Sequence, residues 1–132
     1  MVVFFIENVK WLYMSFEELE WHDAVIKKAE IDRSDPGIID SIAIEMDWPD
    51  ETKSRILFEN VAWASLNLYY YYLGKDYVLK ATVIENIDEN VAQYFTKRTH
   101  QLDTMVNFYH IKSSISEITI LAKSIRVIST TG

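Results

Sequence analysis

The stretch Ser41-Ile42-Ala43-Ile44-Glu45-Met46-Asp47-Trp48-Pro49-Asp50 decides the fold class. Ile42, Ile44, Met46 and Trp48 fall on one side of an extended chain, and Ser41, Ala43, Glu45 and Asp47 on the other. Strict period two over this length predicts a half-buried antiparallel strand. Pro49 and Asp50 end it. Upstream, Ile31-Asp32-Arg33-Ser34-Asp35-Pro36-Gly37 carries a second Pro-marked turn, since Pro sets φ and Gly accepts positive φ. Before that turn, Ala24–Ile31 reads as a strand led in by Trp21-His22-Asp23. Downstream, Arg55–Val61 is the expected hairpin partner, with Ile56 and Phe58 on the core side.

Further outward, Val2–Ile6 reads as a strand. Ser15-Phe16-Glu17-Glu18 has the form of a capping box, which predicts a short helical turn to about Glu20. Trp63–Leu73 is dense in aromatics and ends in Tyr69-Tyr70-Tyr71-Tyr72; Gly74-Lys75-Asp76 reads as a turn. Tyr77–Ile84 fits a strand, with a helix left open. Asp88 is placed as an N-cap, and Val91, Tyr94, Phe95 and Leu102 follow at helical spacing. Lys97, Arg98 and His100 complement the dipole of that helix near its end. Met105–Lys112 and Glu117–Ile128 read as closing strands. In the last, the apolar positions change phase after Ala122, which predicts a bulge or a bend between sheets. The sum is an α+β class: an antiparallel β-rich sandwich or open barrel with one main helix, about 88–101, in a single domain 1–132.

A chain of 132 residues with 49% hydrophobic and 14% aromatic residues can bury a core of its own. It has no Cys, which excludes disulfides, zinc–thiolate sites and cysteine nucleophiles and suits a reducing cytoplasm. Val2–Ile6 is apolar, but Glu7 and Lys10 interrupt it, so neither a signal peptide nor a membrane span is expected. The net charge is −7, and residues 1–51 hold 13 of the 20 acids against 4 of the 13 bases. A nucleic-acid binder needs the reverse balance. An acidic surface suits a basic protein partner or a cation, or simply solubility.

No cofactor, metal or catalytic motif is present. The histidines at 22, 100 and 110 have no metal-ligand spacing. His22 beside Asp23 has the look of an oriented general base, yet no nucleophile or glycine-rich elbow accompanies it; local backbone bonding is the plainer reading. Asp32, Asp35 and Asp40 lack the Gly and Glu positions of an EF-hand. Asp47, Asp50 and Glu51 cluster at the Trp-Pro corner, where a two-carboxylate hydrolase would need a cleft that spacing cannot show. Glycines at 37, 74 and 132 alone build no phosphate loop.

With its Trp21-His22-Asp23-Ala24, Ile31-Asp32-Arg33 through Pro36-Gly37, and Trp48-Pro49-Asp50, the chain resembles a group of small bacterial proteins that share a W-H-D-[AS], I-D-R-x-x-P-G and W-P-D order. The resemblance spans most of residues 16–128 and is specific over the first third. It implies further strands, one helix and a closing hairpin, and transfers no catalytic residue. In size, charge and strand order the chain is more loosely similar to the β-rich immunity proteins of bacterial toxin systems, which implies a cytoplasmic, non-enzymatic protein that acts by binding.

The expected function is therefore protein–protein binding to a basic partner, with neither nucleic acid nor membrane involved. Asp32, Asp35, Asp47, Asp50 and Glu51 are the candidates for electrostatic steering, and Tyr70 and Tyr72 for anchor contacts or a homodimer interface. Two alternatives stay open: a small-molecule-binding barrel or enzyme with its site near His22 and Asp23 or at His110, and a structural homo-oligomer.

Overall fold

The computed structural model describes residues 2–6, 10–14, 16–35, 39–68, 74–87 and 106–130, with side chains from Phe16 onward. Eight strands follow in chain order: β1 (Val2–Ile6), β2 (Lys10–Met14), β3 (Val25–Asp35), β4 (Ile39–Asp47), β5 (Lys53–Asn67), β6 (Val78–Ile87), β7 (Val106–Ser113) and β8 (Glu117–Ser129). A short 3-10 helix, Phe16–Glu18, stands where the capping-box sequence placed a helical turn.

β3 to β8 form a ring. β3 pairs with β4, β4 with β5, β5 with β8, β8 with β7 and β7 with β6, all antiparallel. An isolated bridge, Val25 to Tyr77, closes the ring between β3 and β6. Main-chain bonds from Asp23 N to Val78 O (3.1 Å), Val78 N to Ala24 O (2.7 Å) and Ile26 N to Asp76 O (3.0 Å) tie that seam. The hairpin β1–β2 joins from outside, with β1 parallel to the last part of β8.

The core is the inside of this ring. Ile42, Ile44 and Met46 of β4 are buried in it, as the alternation requires, with Ile56 and Phe58 of β5 opposite. Ile118, Ile120 and Ala122 of β8 are buried before the change of phase, and Ile125 and Val127 after it. β5 changes phase at the same level, from Phe58 to Val61, and Asn60 between them takes a left-handed φ of 52°. Phe16 of the 3-10 segment is buried in this interior. Phe16 lies 4.7 Å from Trp21 and 5.1 Å from Tyr109, ring centre to ring centre, and Phe58 lies 5.3 Å from Tyr109. The two contacts to Tyr109 are edge-to-face, and such pairs add roughly 0.5–1.5 kcal/mol each beyond the area they bury. Burial pushes the Tyr109 phenol above its ordinary value, against a partly compensating hydrogen bond from Asn107.

Two expectations are corrected. The α+β class with a main helix gives way to an almost wholly β structure, because among the described residues no helix reaches seven residues. The segment about 88–101, where that helix was expected, lies outside the described residues. The physical reason is one of extent: period-two burial runs through β4, β5, β7 and β8, so the apolar area to be covered is almost all sheet face. The aromatic stretch from Trp63, set apart from the expected Arg55–Val61 strand, continues that strand as β5 to Asn67, since neither Gly nor Pro interrupts the chain from Lys53 to Asn67.

Candidate binding groove

β4 covers the edge of β5 only from Lys53 to Glu59. Beyond the left-handed Asn60, β5 runs on to Asn67 against β8, while β3 and β4 continue as a two-stranded hairpin to Asp35 and Ile39. The two parts diverge. Between them lies an open groove of about 570 Å³, within the size range of ligand sites, roughly 300–1,000 Å³. Its floor is apolar. Ile42, Val61, Ala64 and Leu66 belong to the core packing, and Ala62 and Trp63 pack on a second cluster around Val106 and Leu121 on the outer side of the sheet. Its rim is charged, with Asp32 and Arg33 from β3 and Asp40 from β4. Asp35 stands exposed at the end of β3.

Asp32 is held in place locally. Its Oδ1 accepts bonds from the Ser34 hydroxyl (2.7 Å) and the Ser34 backbone N–H (2.9 Å). These bonds, the hydroxyl first, keep its carboxyl below the ordinary carboxylate range, so the rim keeps this charge well into acid. A smaller hollow of about 370 Å³ adjoins the groove, and Ile31 stands 60% exposed between the two.

The acidic residues singled out from the sequence do not form one face. Asp32, Asp35 and Asp40 gather at the tip of the β3–β4 hairpin, but Asp47, Asp50 and Glu51 lie at its other end, roughly 27 Å away along a nine-residue strand. Between them the outer face is mixed in sign. Glu30 pairs with Lys28 (2.6 Å) and Arg55 (3.2 Å), and Glu59 pairs with Arg126 (2.8 Å). The hydrogen bond to Glu30 holds the Lys28 ammonium above its ordinary value, and the reciprocal bond holds the Glu30 carboxyl below its own.

At the far corner the carboxylates serve a turn. Glu51 N bonds Trp48 O (3.0 Å) and Trp48 N bonds Thr52 O (2.9 Å), with Glu51 at a left-handed φ of 70°. Asp50 accepts bonds from the Thr52 hydroxyl and backbone N–H, which lower its carboxyl pKa. Trp48 donates its ring N–H to Ser54 and meets the edge of Trp21 at 5.2 Å. Trp21-His22-Asp23-Ala24 is a turn as well: Ala24 N bonds Trp21 O (2.9 Å), and Asp23 takes φ 68°, a conformation Asp tolerates better than most residues. Trp21 is buried and donates its ring N–H to Phe16 O (2.6 Å). The two tryptophans thus meet at the margin of the core, Trp21 buried and Trp48 partly so.

The histidine candidates lie apart from the groove. His22 and Asp23 approach to 3.3 Å, but their side chains are 78% and 64% exposed on the turn. His110 alternates with the buried Tyr109 and Ile111, so it faces outward, 3.3 Å from Glu117. His100, Tyr70 and Tyr72 lie outside the described residues, as does the Pro36-Gly37 turn. Among the described residues no three His, Asp or Glu side chains gather as a metal site. No helix there is long and apolar enough to cross a membrane.

Sequence reasoning missed the groove floor. Its signal was present: Lys53–Asn67 holds no Gly or Pro and exceeds β4 by six residues, so one edge had to outrun its neighbour. No protein-family model and no curated protein matches the chain.

Proposed function

We propose that this is a non-enzymatic binding protein of the bacterial cytoplasm, and that it holds a basic protein partner in the groove between the β3–β4 tip and the distal half of β5. One observation carries the reading: a long apolar floor opens beside a rim of Asp32, Arg33 and Asp40, with Asp35 exposed nearby at the end of β3. Apolar floors supply affinity, and rim charges steer encounter and reject partners of the wrong sign. The steering role narrows to the tip, since Asp50 and Glu51 form a turn and Asp47 lies opposite Lys53 in the register. An immunity-like role, binding and blocking a basic toxin domain, fits this chemistry and the loose likeness in size and charge. The rival small-molecule site loses support because His22, Asp23 and His110 line neither hollow.

The test is affinity capture with the full chain as bait, beside the Asp32→Asn/Asp35→Asn double variant. A basic protein retained by the parent, lost from the double variant and released by raised salt is the expected result. Equal capture by both baits, or none by either, rejects the reading.

A further inference from the structure

We propose that the acidic tip of one molecule docks on a basic patch of a second copy of this chain, an exposed surface at the other end of β3 made by Lys27, Lys75, Lys80 and Lys112 around Tyr77 and Leu79. The inference rests on the reading that the tip takes a basic protein surface, and it names one such surface.

The patch runs against the chain's net charge of −7. Lys80 of β6 and Lys112 of β7 stand directly opposite each other in the register, and both are exposed. Like charges in that position work against sheet pairing. Edge protection does not explain Lys112, because β7 lies between β6 and β8. Lys27 and Lys75, also exposed, flank the bond from Ile26 N to Asp76 O at the ring seam. Tyr77 and Leu79, between Lys75 and Lys80 in the chain, are 41% and 53% exposed. Among the described residues none of the four lysines is in an ion pair, whereas Lys28, Arg55 and Arg126 all are. The carboxylates beside them are turned elsewhere. Asp76 accepts the Ser116 hydroxyl (2.6 Å) with its other oxygen buried, and Glu117, opposite Lys112, stands 3.3 Å from His110.

The tip has the matching character. Asp32, Asp35 and Asp40 stand there against Arg33, and Ile31 and Ile39 are exposed beside them. Each surface thus sets two exposed apolar side chains among charges mainly of one sign, and the two signs are opposite. That arrangement steers two proteins together and fixes their register. Tyr77 is the anchor for the groove floor, the kind of side chain that most often fills such a place. Lys27 and Asp35 lie eight residues apart on β3, roughly 26 Å, so one molecule cannot bring its own tip to its own patch.

The test is sedimentation equilibrium of the full chain at low and raised salt, beside two charge-reversed variants. The patch variant is Lys80→Glu/Lys112→Glu, and the tip variant is Asp32→Lys/Asp35→Lys. All four positions are exposed, so neither variant alters the core. The parent is expected to gain mass with concentration at low salt and to return to the mass of one chain at raised salt. Each variant alone is expected to lose about tenfold or more in association constant. An equimolar mixture of the two is expected to recover it, because the patch of one and the tip of the other are intact. A parent that stays a single chain up to about 1 mM overturns the proposal. Association that both variants keep, or a mixture that fails to recover it, overturns it too. Polyglutamate that binds the parent but not the patch variant, while the parent stays a single chain, assigns the patch to a different acidic partner and likewise overturns it. None of these outcomes bears on a foreign basic partner at the tip, which the capture experiment above judges independently.

Discussion

The two ends of the β3–β4 hairpin carry similar acidic sequences and use them differently. At the Trp48-Pro49-Asp50-Glu51 end, polar groups close on one another: Asp50 binds Thr52, Trp48 binds Ser54, and two tryptophans meet over the core. At the Asp32-Asp35-Asp40 end, β4 leaves β5 and a groove opens. The difference teaches that local carboxylate density says little about function. What matters is whether the neighbouring strand stays paired, because pairing turns a charged corner into part of the fold and its loss makes a charged rim.

The comparison breaks most visibly in the core that both ends share. Phe58→Ala should destabilise the chain by about 3–5 kcal/mol in a denaturant melt, the usual cost of a cavity where an aromatic was fully buried. A loss under about 1 kcal/mol would mean the ring interior is not packed as described. At the closed corner, Ser54→Ala removes the acceptor of the Trp48 ring N–H and should cost about 1 kcal/mol, read in the same melt. A substitution at the open tip such as Asp35→Asn should stay within about 0.5 kcal/mol.

Acid sharpens the same contrast. The Asp50 carboxyl has its folded-state pKa lowered from the ordinary 3.8 by the Thr52 bonds, and Asp32 is lowered likewise by Ser34. A lowered folded-state value means the stabilisation is present above pH 3.8 and is lost as pH falls through the lower folded values. Between pH 3.8 and the lower folded value Asp50→Asn should flatten the fall of stability with pH; an unchanged slope would remove the Asp50–Thr52 bonds from the account. Backbone strain at the closed corner offers one more contrast. Glu51→Gly relieves a left-handed φ and should leave the melting temperature unchanged or raise it by an amount worth up to about 1 kcal/mol.

Much of the closed corner was legible in the sequence. The alternation Ile42-Ile44-Met46 fixed which face of β4 is buried, and Pro49-Asp50 marked its end, because both signals are local. Turn chemistry also explained Trp21-His22-Asp23-Ala24 once Asp23 was seen in a left-handed turn. The open tip was not legible in the same way. Asn60 breaks the phase of β5 at the point where β4 departs, so the hairpin strand reads from sequence as ending at Val61, with Trp63–Leu73 apart from it. Ring closure at Val25–Tyr77, and a groove lined by both Asp32 and Ala62, bring together residues far apart in sequence, and no periodicity encodes them. The acidic half of the chain likewise read as one surface until Lys28, Arg55 and Arg126 were found interleaved with it.

The most direct test sets the two ends against each other. Asp32→Asn/Asp35→Asn at the tip and Asp47→Asn/Glu51→Gln at the corner change charge equally, and both are titrated with a short polylysine peptide at low and raised salt. The tip variant should lose about three- to tenfold in affinity, with the loss shrinking as salt rises, and the corner variant should stay within about twofold of the parent. Equal losses at both ends, or a larger loss at the corner, would contradict the claim that the groove at the tip is where this protein binds.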